Sequence, residues 1–449
     1  QTTALEAGSR ALIYCVQAEA WDRLGGFASG LITSARSPRL LAQLIPHLEA
    51  AADAAPGAEH RSSCLTYLAD ALRFTGRPDD SLPLYEQAAL QARATLEGAS
   101  DEGARKTWAK LAWITGNWAI ALNMLGDLDA SRQRHLESAD AEKRAGRPAI
   151  FVISSELEAL RIDITRGDAE EAMPQVEAHL AQVQDWWERY QNGETVADAG
   201  DPEALARALI GALDIATQGD RGLRAWESAL RRTDVILEIK RALGRSTEDI
   251  AGTRMNRASV LRRLRRLNEA QEELEACLSL FEHDDIARKM VLSNLSAVLA
   301  DQGDIDQAIT LSRRALALAQ QYPDPESRSA SHSNLANYLT ARGTPSDVVA
   351  ARRHRLADLT YCLLAGLGES LKSTLANYVV DFQRAGEPGA RMEVPRLAEL
   401  LSDPSFGPLD DWVRRSGVEL EVLQTAVDSA LDEAWSFATS QIERGSRPS

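Results

Sequence analysis

The chain has 449 residues, more than one ordinary globular core contains, and its composition is 44% hydrophobic but only 5% aromatic. Its formal net charge of −16 at pH 7 argues against a nucleic-acid partner, because such binding depends on cations that neutralise phosphates. No run of alternating β-branched residues indicates a sheet, so we expect an all-α protein.

The four cysteines are far apart and lie within helical patterns, which indicates neither a disulfide framework nor a zinc site. No stretch approaches the roughly 18 apolar residues of a membrane span, and the first residues lack the form of a signal peptide. We therefore expect a cytoplasmic protein without a membrane partner. Because the sequence starts at Gln1 rather than methionine, we expect it to be part of a longer protein. No signal indicates its oligomeric state.

Residues 1–57 are predicted to form two or three helices, with breaks at Gly25-Gly26 and at Ser37-Pro38. Two interpretations fit this N-terminal segment: a degenerate first hairpin, or the end of an upstream domain.

Beyond residue 57 the sequence repeats a pattern of helix, turn and helix. The unit Asn294 to Ala315 shows it best, since Leu295, Val298 and Leu299 form one apolar helical stripe and a Gly-Asp turn precedes a second stripe. We expect about eight such hairpins, whose first helices end at Gly76, Gly126, Gly167, Gly219, Arg265, Gly303, Gly343 and Gly386. Small residues five positions after many of these stops indicate close helix packing: Ser81, Ser131, Ala172, Ala270 and Ala308.

The predicted array has two halves, 58–190 and 204–387, separated by a loop at 191–203 that is rich in turn-forming residues. Residues 388–449 open with several prolines and close with a helix from about Glu419 to Ile442. A terminal helix of different pattern is expected to cover the last apolar face of an array. Its apolar stripe contains Leu423, Val427, Leu431 and Trp435.

The small residue in each first helix, the glycine at the turn and the alanine in the second helix resemble the tetratricopeptide repeat family. The match covers roughly residues 58–390 and is strongest over 254–343. Ala270 and Ala308 lie 38 residues apart, more than the usual 34 or so, so the chain resembles the long repeats of kinesin light chains and bacterial peptide sensors. The resemblance implies an α-solenoid, wound as a right-handed superhelix, with a C-terminal helical cap. Arg265 departs from the pattern, because it replaces the turn glycine.

Five of the nine asparagines lie nine residues before a predicted stop: Asn117, Asn256, Asn294, Asn334 and Asn377. In the tetratricopeptide repeat family this position faces a concave groove, where the side-chain amide bonds the backbone of an extended peptide. A structural interpretation stays open beside this one, in which the amide bonds an adjacent helix. Residues that share the same helix faces are predicted to select the partner: Trp113, Arg263, Met290, Asn337 and Arg384.

Three other groups of residues are given structural interpretations. The arginine cluster between Arg254 and Arg266 is interpreted mainly as solvated ion pairs with glutamates of the next helix. The tryptophans near Trp113 are interpreted as packing between hairpins. The segment Glu282 to Asp285 is interpreted as a solvated loop rather than a metal site.

No nucleotide-binding, metalloprotease or nucleophile-elbow motif occurs, so we expect no catalytic residue, no metal and no cofactor. The predicted function is a non-catalytic scaffold or sensor that binds a protein or peptide. The alternative is the C-terminal sensor of a larger bacterial signalling or defence protein, linked to a nucleotide switch or a protease. Its alanine-rich, arginine-rich and lysine-poor composition is typical of a GC-rich bacterial genome.

Overall fold

A computed structural model describes residues 2–34, 41–281, 284–322, 324–384 and 394–445. Within these ranges the chain forms 21 α-helices and no strand, which confirms the predicted all-α fold. None of the helices in these ranges is long and apolar enough to cross a membrane. The chain divides into two compact units, Gln1–Leu243 and Gly244–Ser449, which are called unit 1 and unit 2 below.

Unit 1 begins with three helices, α1 Thr2–Gln17, α2 Trp21–Ser34 and α3 Ile45–Ala54. The predicted break at Gly25-Gly26 is wrong, because α2 continues through both glycines. A Cβ atom added at Gly25 would lie 2.9 Å from the hydroxyl of Tyr67, so this glycine allows close packing between helices. The other predicted break, at Ser37-Pro38, lies outside the described residues.

Four hairpins follow in unit 1, and each helix contacts the next along the chain. At the predicted loop between Gln191 and Pro202, a single 3-10 turn forms at Ala197–Ala199. The helices are α4 Gly57–Phe74, α5 Pro78–Ala94, α6 Asp101–Met124, α7 Leu128–Ala145, α8 Ala149–Arg166, α9 Ala169–Gln191, α10 Pro202–Gly222 and α11 Trp226–Ala242.

The turns follow the predicted chemistry at most positions. Gly126 takes a φ of +78°, and Asp127 then caps α7 by accepting a hydrogen bond from the N–H of Ala130 at 3.1 Å. Five residues after this stop, Ser131 is fully buried and donates to the carbonyl of Ala119 at 2.8 Å. All five small residues predicted to allow close helix packing are buried.

Gly219 is not a turn residue, and this prediction is wrong. It lies inside α10, buried, and the helix continues to Gly222 before Arg224 takes a φ of +58°. A Cβ atom at Gly219 would overlap Met173 Sδ and lie 3.0 Å from its Cγ. This glycine therefore brings α10 close to α9 instead of ending a helix.

Unit 2 contains three hairpins, followed by a single helix and a cap. The non-glycine stop at Arg265 is confirmed, because this arginine takes a left-handed φ of +61°. The helices are α12 Thr247–Arg263, α13 Leu267–Leu280, α14 Asp285–Gln302, α15 Ile305–Ala319, α16 Pro325–Arg342, α17 Pro345–Ala365, α18 Gly368–Arg384, α19 Leu397–Leu401, α20 Gly407–Ser416 and α21 Leu420–Gly445.

The predicted eighth hairpin has a different construction. Gly386 lies outside the described residues, and α18 packs against α21, far along the chain, as well as against α17. The apolar stripe of α21 joins Tyr378 of α18 and Tyr361 of α17 in one core, with Leu423, Val427 and Leu431 all buried. The predicted terminal helix is therefore confirmed, and it supplies the partner of the last repeat helix.

Candidate functional site

The first helices of the hairpins in unit 2 form a continuous layer. Helix α12 contacts α14, α14 contacts α16, and α16 contacts α18. Each carries one asparagine of the predicted ladder at the equivalent position: Asn256, Asn294, Asn334 and Asn377 in turn. Helices in contact lie about 8–10 Å apart, so successive side-chain amides are separated by about that distance along the layer.

Three of these asparagines have unoccupied amide groups. Asn256 is exposed, and Asn294 and Asn334 are half-buried. Across the described part of the chain, none of the three side chains takes part in a hydrogen bond, and none of their polar atoms is enclosed without a partner. An amide presents one acceptor and two donors, so each of these side chains retains its capacity to bond a peptide group.

The other members of the ladder are engaged within the protein. Asn117 donates to Asp70 Oδ2 at 3.3 Å, and Asn377 donates to Ser333 Oγ at 3.5 Å. Asn337, on the neighbouring face of α16, accepts a hydrogen bond from Arg355 at 2.8 Å. The structural interpretation therefore describes these three side chains, each of which joins two helices.

The partner of Asn117 belongs to a buried polar cluster in unit 1. The hydroxyl of Tyr85 donates to Asp70 at 2.6 Å, and Arg73 lies 3.5 Å from the same carboxylate. Burial raises the pKa of Asp70 to about 6 despite the hydrogen bond from Tyr85 and the charge of Arg73. Asn117 therefore helps to satisfy a carboxyl group that burial makes costly to ionise.

The predicted selectivity residues differ in their accessibility. Met290 exposes 46% of its surface one turn before Asn294, and Arg263 is also exposed. Trp113 is half-buried against the core of unit 1, with its ring centroid 5.1 Å from that of Tyr67. Arg384 lies at the end of α18, and its side chain is outside the described residues.

Ion pairs connect the helices of unit 2, as the arginine cluster predicted. Arg254 and Arg257 both pair with Glu273 on the following helix, the second at 3.1 Å. Arg262 of α12 pairs with Asp301 of α14 at 2.6 Å, a partner in the next hairpin that the cluster alone did not predict. Of these contacts, the pair between Arg262 and Asp301 links two successive first helices.

A buried carboxyl group that the sequence did not predict joins three helices near the end of unit 2. Asp358 of α17 accepts hydrogen bonds from Ser329 of α16 at 2.5 Å and from Thr374 of α18 at 2.9 Å. Its pKa is raised, chiefly by burial. The partners are 29 and 16 residues away, so no local motif marks them.

The cysteines do not offer a nucleophile. All four are buried, and burial raises the pKa of Cys64, Cys277 and Cys362 to about 11. A reactive cysteine needs a lowered pKa, whereas burial raises the pKa of these three thiols. No cluster of three or more His, Cys, Asp or Glu residues in the described ranges is arranged to hold a metal ion.

Comparison with solved structures finds matches of low sequence identity. BtubC from P. vanneervenii is 21% identical, with a TM-score of 0.40, and the match covers 52% of this chain and 91% of that one. The apo quorum sensor NprR from B. thuringiensis is 12% identical, with a TM-score of 0.47, and the match covers 94% of this chain and 99% of that one. A Rap protein complexed with competence and sporulation factor is 11% identical, with a TM-score of 0.49, and the match covers 96% of this chain and 100% of that one.

Comparison with protein families matches the hairpins at the start of unit 2. Two models, each described as a tetratricopeptide repeat, match residues 251–284 and 285–351. No curated protein sequence matches the chain. The matched residues run from α12 into α17 and include the segment 254–343, where the sequence resemblance is strongest. The chain therefore contains tetratricopeptide repeats, which confirms the resemblance predicted from its sequence.

Proposed function

We propose that this protein is a non-catalytic interaction module that binds an extended peptide segment of a partner along the first helices of unit 2. The observation that carries the proposal is the set of three accessible amides at Asn256, Asn294 and Asn334, which form no hydrogen bond in the described chain. Together they offer donors and acceptors to a peptide backbone without reading its side chains.

The spacing of the amides sets the periodicity of the proposed contacts. An extended peptide rises about 3.3 Å per residue, and neighbouring first helices lie about 8–10 Å apart, so one amide meets about every third residue. Three amides therefore engage a segment of about seven residues. Met290 and Arg263 lie beside this path and supply an apolar and a cationic contact for the partner's side chains.

The proposal is tested by selecting binders from a random peptide display library against the full chain, then measuring their affinity for variants. Replacing both Asn294 and Asn334 by alanine removes about two hydrogen bonds, worth roughly 1 to 3 kcal/mol, and should weaken binding about 5- to 150-fold. The matched control is Asn268→Ala, an exposed asparagine on the second helix α13, which should leave affinity unchanged.

Methylating the peptide nitrogens one at a time tests backbone recognition directly. Affinity should fall at positions about three residues apart and remain nearly constant between them, because only some peptide groups meet an amide. If the double variant folds normally and binds every selected peptide as tightly as the original chain, the proposed face is wrong.

A further inference from the structure

A cavity of about 510 Å³ lies in unit 2, and none of the ladder asparagines lines it. Its walls come from the second helices α15 and α17 and from the cap, where a 3-10 turn forms at Pro404–Phe406. Leu335 is the one wall residue contributed by a first helix. The cavity is therefore separate from the face proposed to bind a peptide backbone.

The inner part of this cavity is apolar. Leu316, Leu335 and Phe406 line it, and each exposes 7% or less of its surface. These apolar side chains form one part of the cavity wall, which favours an apolar ligand group.

The rim of the same cavity is cationic, although the protein as a whole carries a net charge of −16. Arg313 and Arg353 both line it, beside His354. Arg313 is exposed and forms no ion pair within the described ranges. Two guanidinium groups at the mouth of an apolar cavity favour an anion with planar oxygens, since an arginine fork matches a carboxylate.

The carboxylate of Asp403 fixes the geometry of this rim. One of its oxygens accepts hydrogen bonds from the N–H and the hydroxyl of Ser405, at 2.8 and 2.7 Å. The other lies 2.6 Å from a guanidinium nitrogen of Arg353, whose Cζ is 5.4 Å from the centroid of the Phe406 ring. Arg353 is therefore held in position before any ligand arrives, whereas Arg313 keeps its full charge for the ligand.

We propose that this cavity binds an apolar carboxylate, with the hydrocarbon body against Leu316 and Leu335 and the carboxylate between Arg313 and Arg353. Two sources share this chemistry: the C-terminal residue of a peptide and a free carboxylic acid. The site is additional to the proposed peptide-binding face, and neither proposal depends on the other.

Binding is tested by calorimetry with the full chain and three probes: N-acetyl-Gly-Leu-Phe with a free carboxylate, the same peptide as its amide, and 3-phenylpropanoate. The carboxylate peptide should bind at least about tenfold more tightly than its amide, because a charge-assisted hydrogen bond is lost in the amide. If 3-phenylpropanoate binds as tightly as the peptide, the ligand is a free acid; if it binds much more weakly, the ligand is a peptide terminus.

Arg313→Gln should lower the affinity for the carboxylate probes by roughly 10- to 100-fold. The fold should stay intact, since this side chain is exposed. The matched control is Arg314→Gln, the adjacent exposed arginine on α15, which is not part of the cavity wall and should not change affinity. The NMR signals of the His354 ring should shift when the probes bind to the original chain.

Two results would overturn the proposal: no saturable binding of either carboxylate probe up to about 10 mM, or equal affinities of the Arg313→Gln and Arg314→Gln variants. Alanine at both Asn294 and Asn334 should leave carboxylate binding unchanged, so failure of the peptide-backbone proposal and failure of this one are measured separately.

Discussion

Two glycines on one helix give a direct test of the packing in unit 1. Both Gly211 and Gly219 lie within α10, so replacing either by alanine brings the same gain in helix propensity, about 1 kcal/mol. At Gly211 the added Cβ atom meets nothing within 4 Å, and the free energy of unfolding should rise by about 0.5 to 1 kcal/mol.

At Gly219 the added methyl group overlaps the side chain of Met173, which must move by more than about 1 Å to reach normal contact distance. Overpacking in a buried site costs about 1–3 kcal/mol, which exceeds or cancels the gain in propensity. Gly219→Ala should therefore range from neutral to about 2 kcal/mol less stable than the original chain. The two variants should differ by roughly 1 to 3 kcal/mol.

Urea unfolding followed by tryptophan fluorescence measures this difference, because seven of the nine tryptophans lie in unit 1. In a Met173→Ala background the overlap is gone, so Gly219→Ala should become as favourable as Gly211→Ala. If the two alanine variants have equal unfolding midpoints in the original background, the close approach of α9 and α10 is refuted.

Three further predictions concern stability. The raised pKa of Asp70 lets the folded state keep a proton that the unfolded state releases, so stability should fall as pH rises from about 4 to 6. In urea titrations, Asp70→Asn should make the free energy of unfolding depend less on pH over this range. Burial lowers the pKa of His354 to about 4, so the stability that its neutral ring gives the folded state should be lost as pH falls from about 6.5 towards 4. NMR should show this ring still neutral at pH 6. Asn117→Ala should cost about 1 kcal/mol in thermal unfolding, whereas Asn256→Ala should stay within about 0.5 kcal/mol of the original chain.

The hairpin periodicity could be predicted because each hairpin is built from contacts between residues that are close in sequence. Gly126 and Gly303 carry the stop signal and the following aspartates carry the cap, all within a few residues. Arg265 was also predicted as a stop, from its place in the period rather than from its residue type. Gly25 and Gly219 gave the same local signal for a different reason, since each allows a distant side chain to approach the helix backbone.

In the candidate site, too, the local features could be predicted and the contacts between distant residues could not. The sequence placed the asparagines on equivalent positions of the first helices, because that requires only helical phase. It did not separate the accessible amide of Asn256 from the engaged amide of Asn117, whose partner Asp70 lies 47 residues away. The arginines of the cavity were missed for a related reason: Arg313 and Arg353 lie 40 residues apart on different helices, and Arg353 is held by Asp403 and Phe406 of the cap.

The pairing of α18 with α21 has a consequence for synthesis of the chain on the ribosome. The first helix of every earlier hairpin finds its partner in the segment translated immediately afterwards, so each hairpin can form as it emerges. Helix α18 must wait until Leu420–Gly445 has been translated. Until then the part of its apolar face that α21 covers remains open to other nascent chains, and a chaperone bound there would protect the unfinished chain.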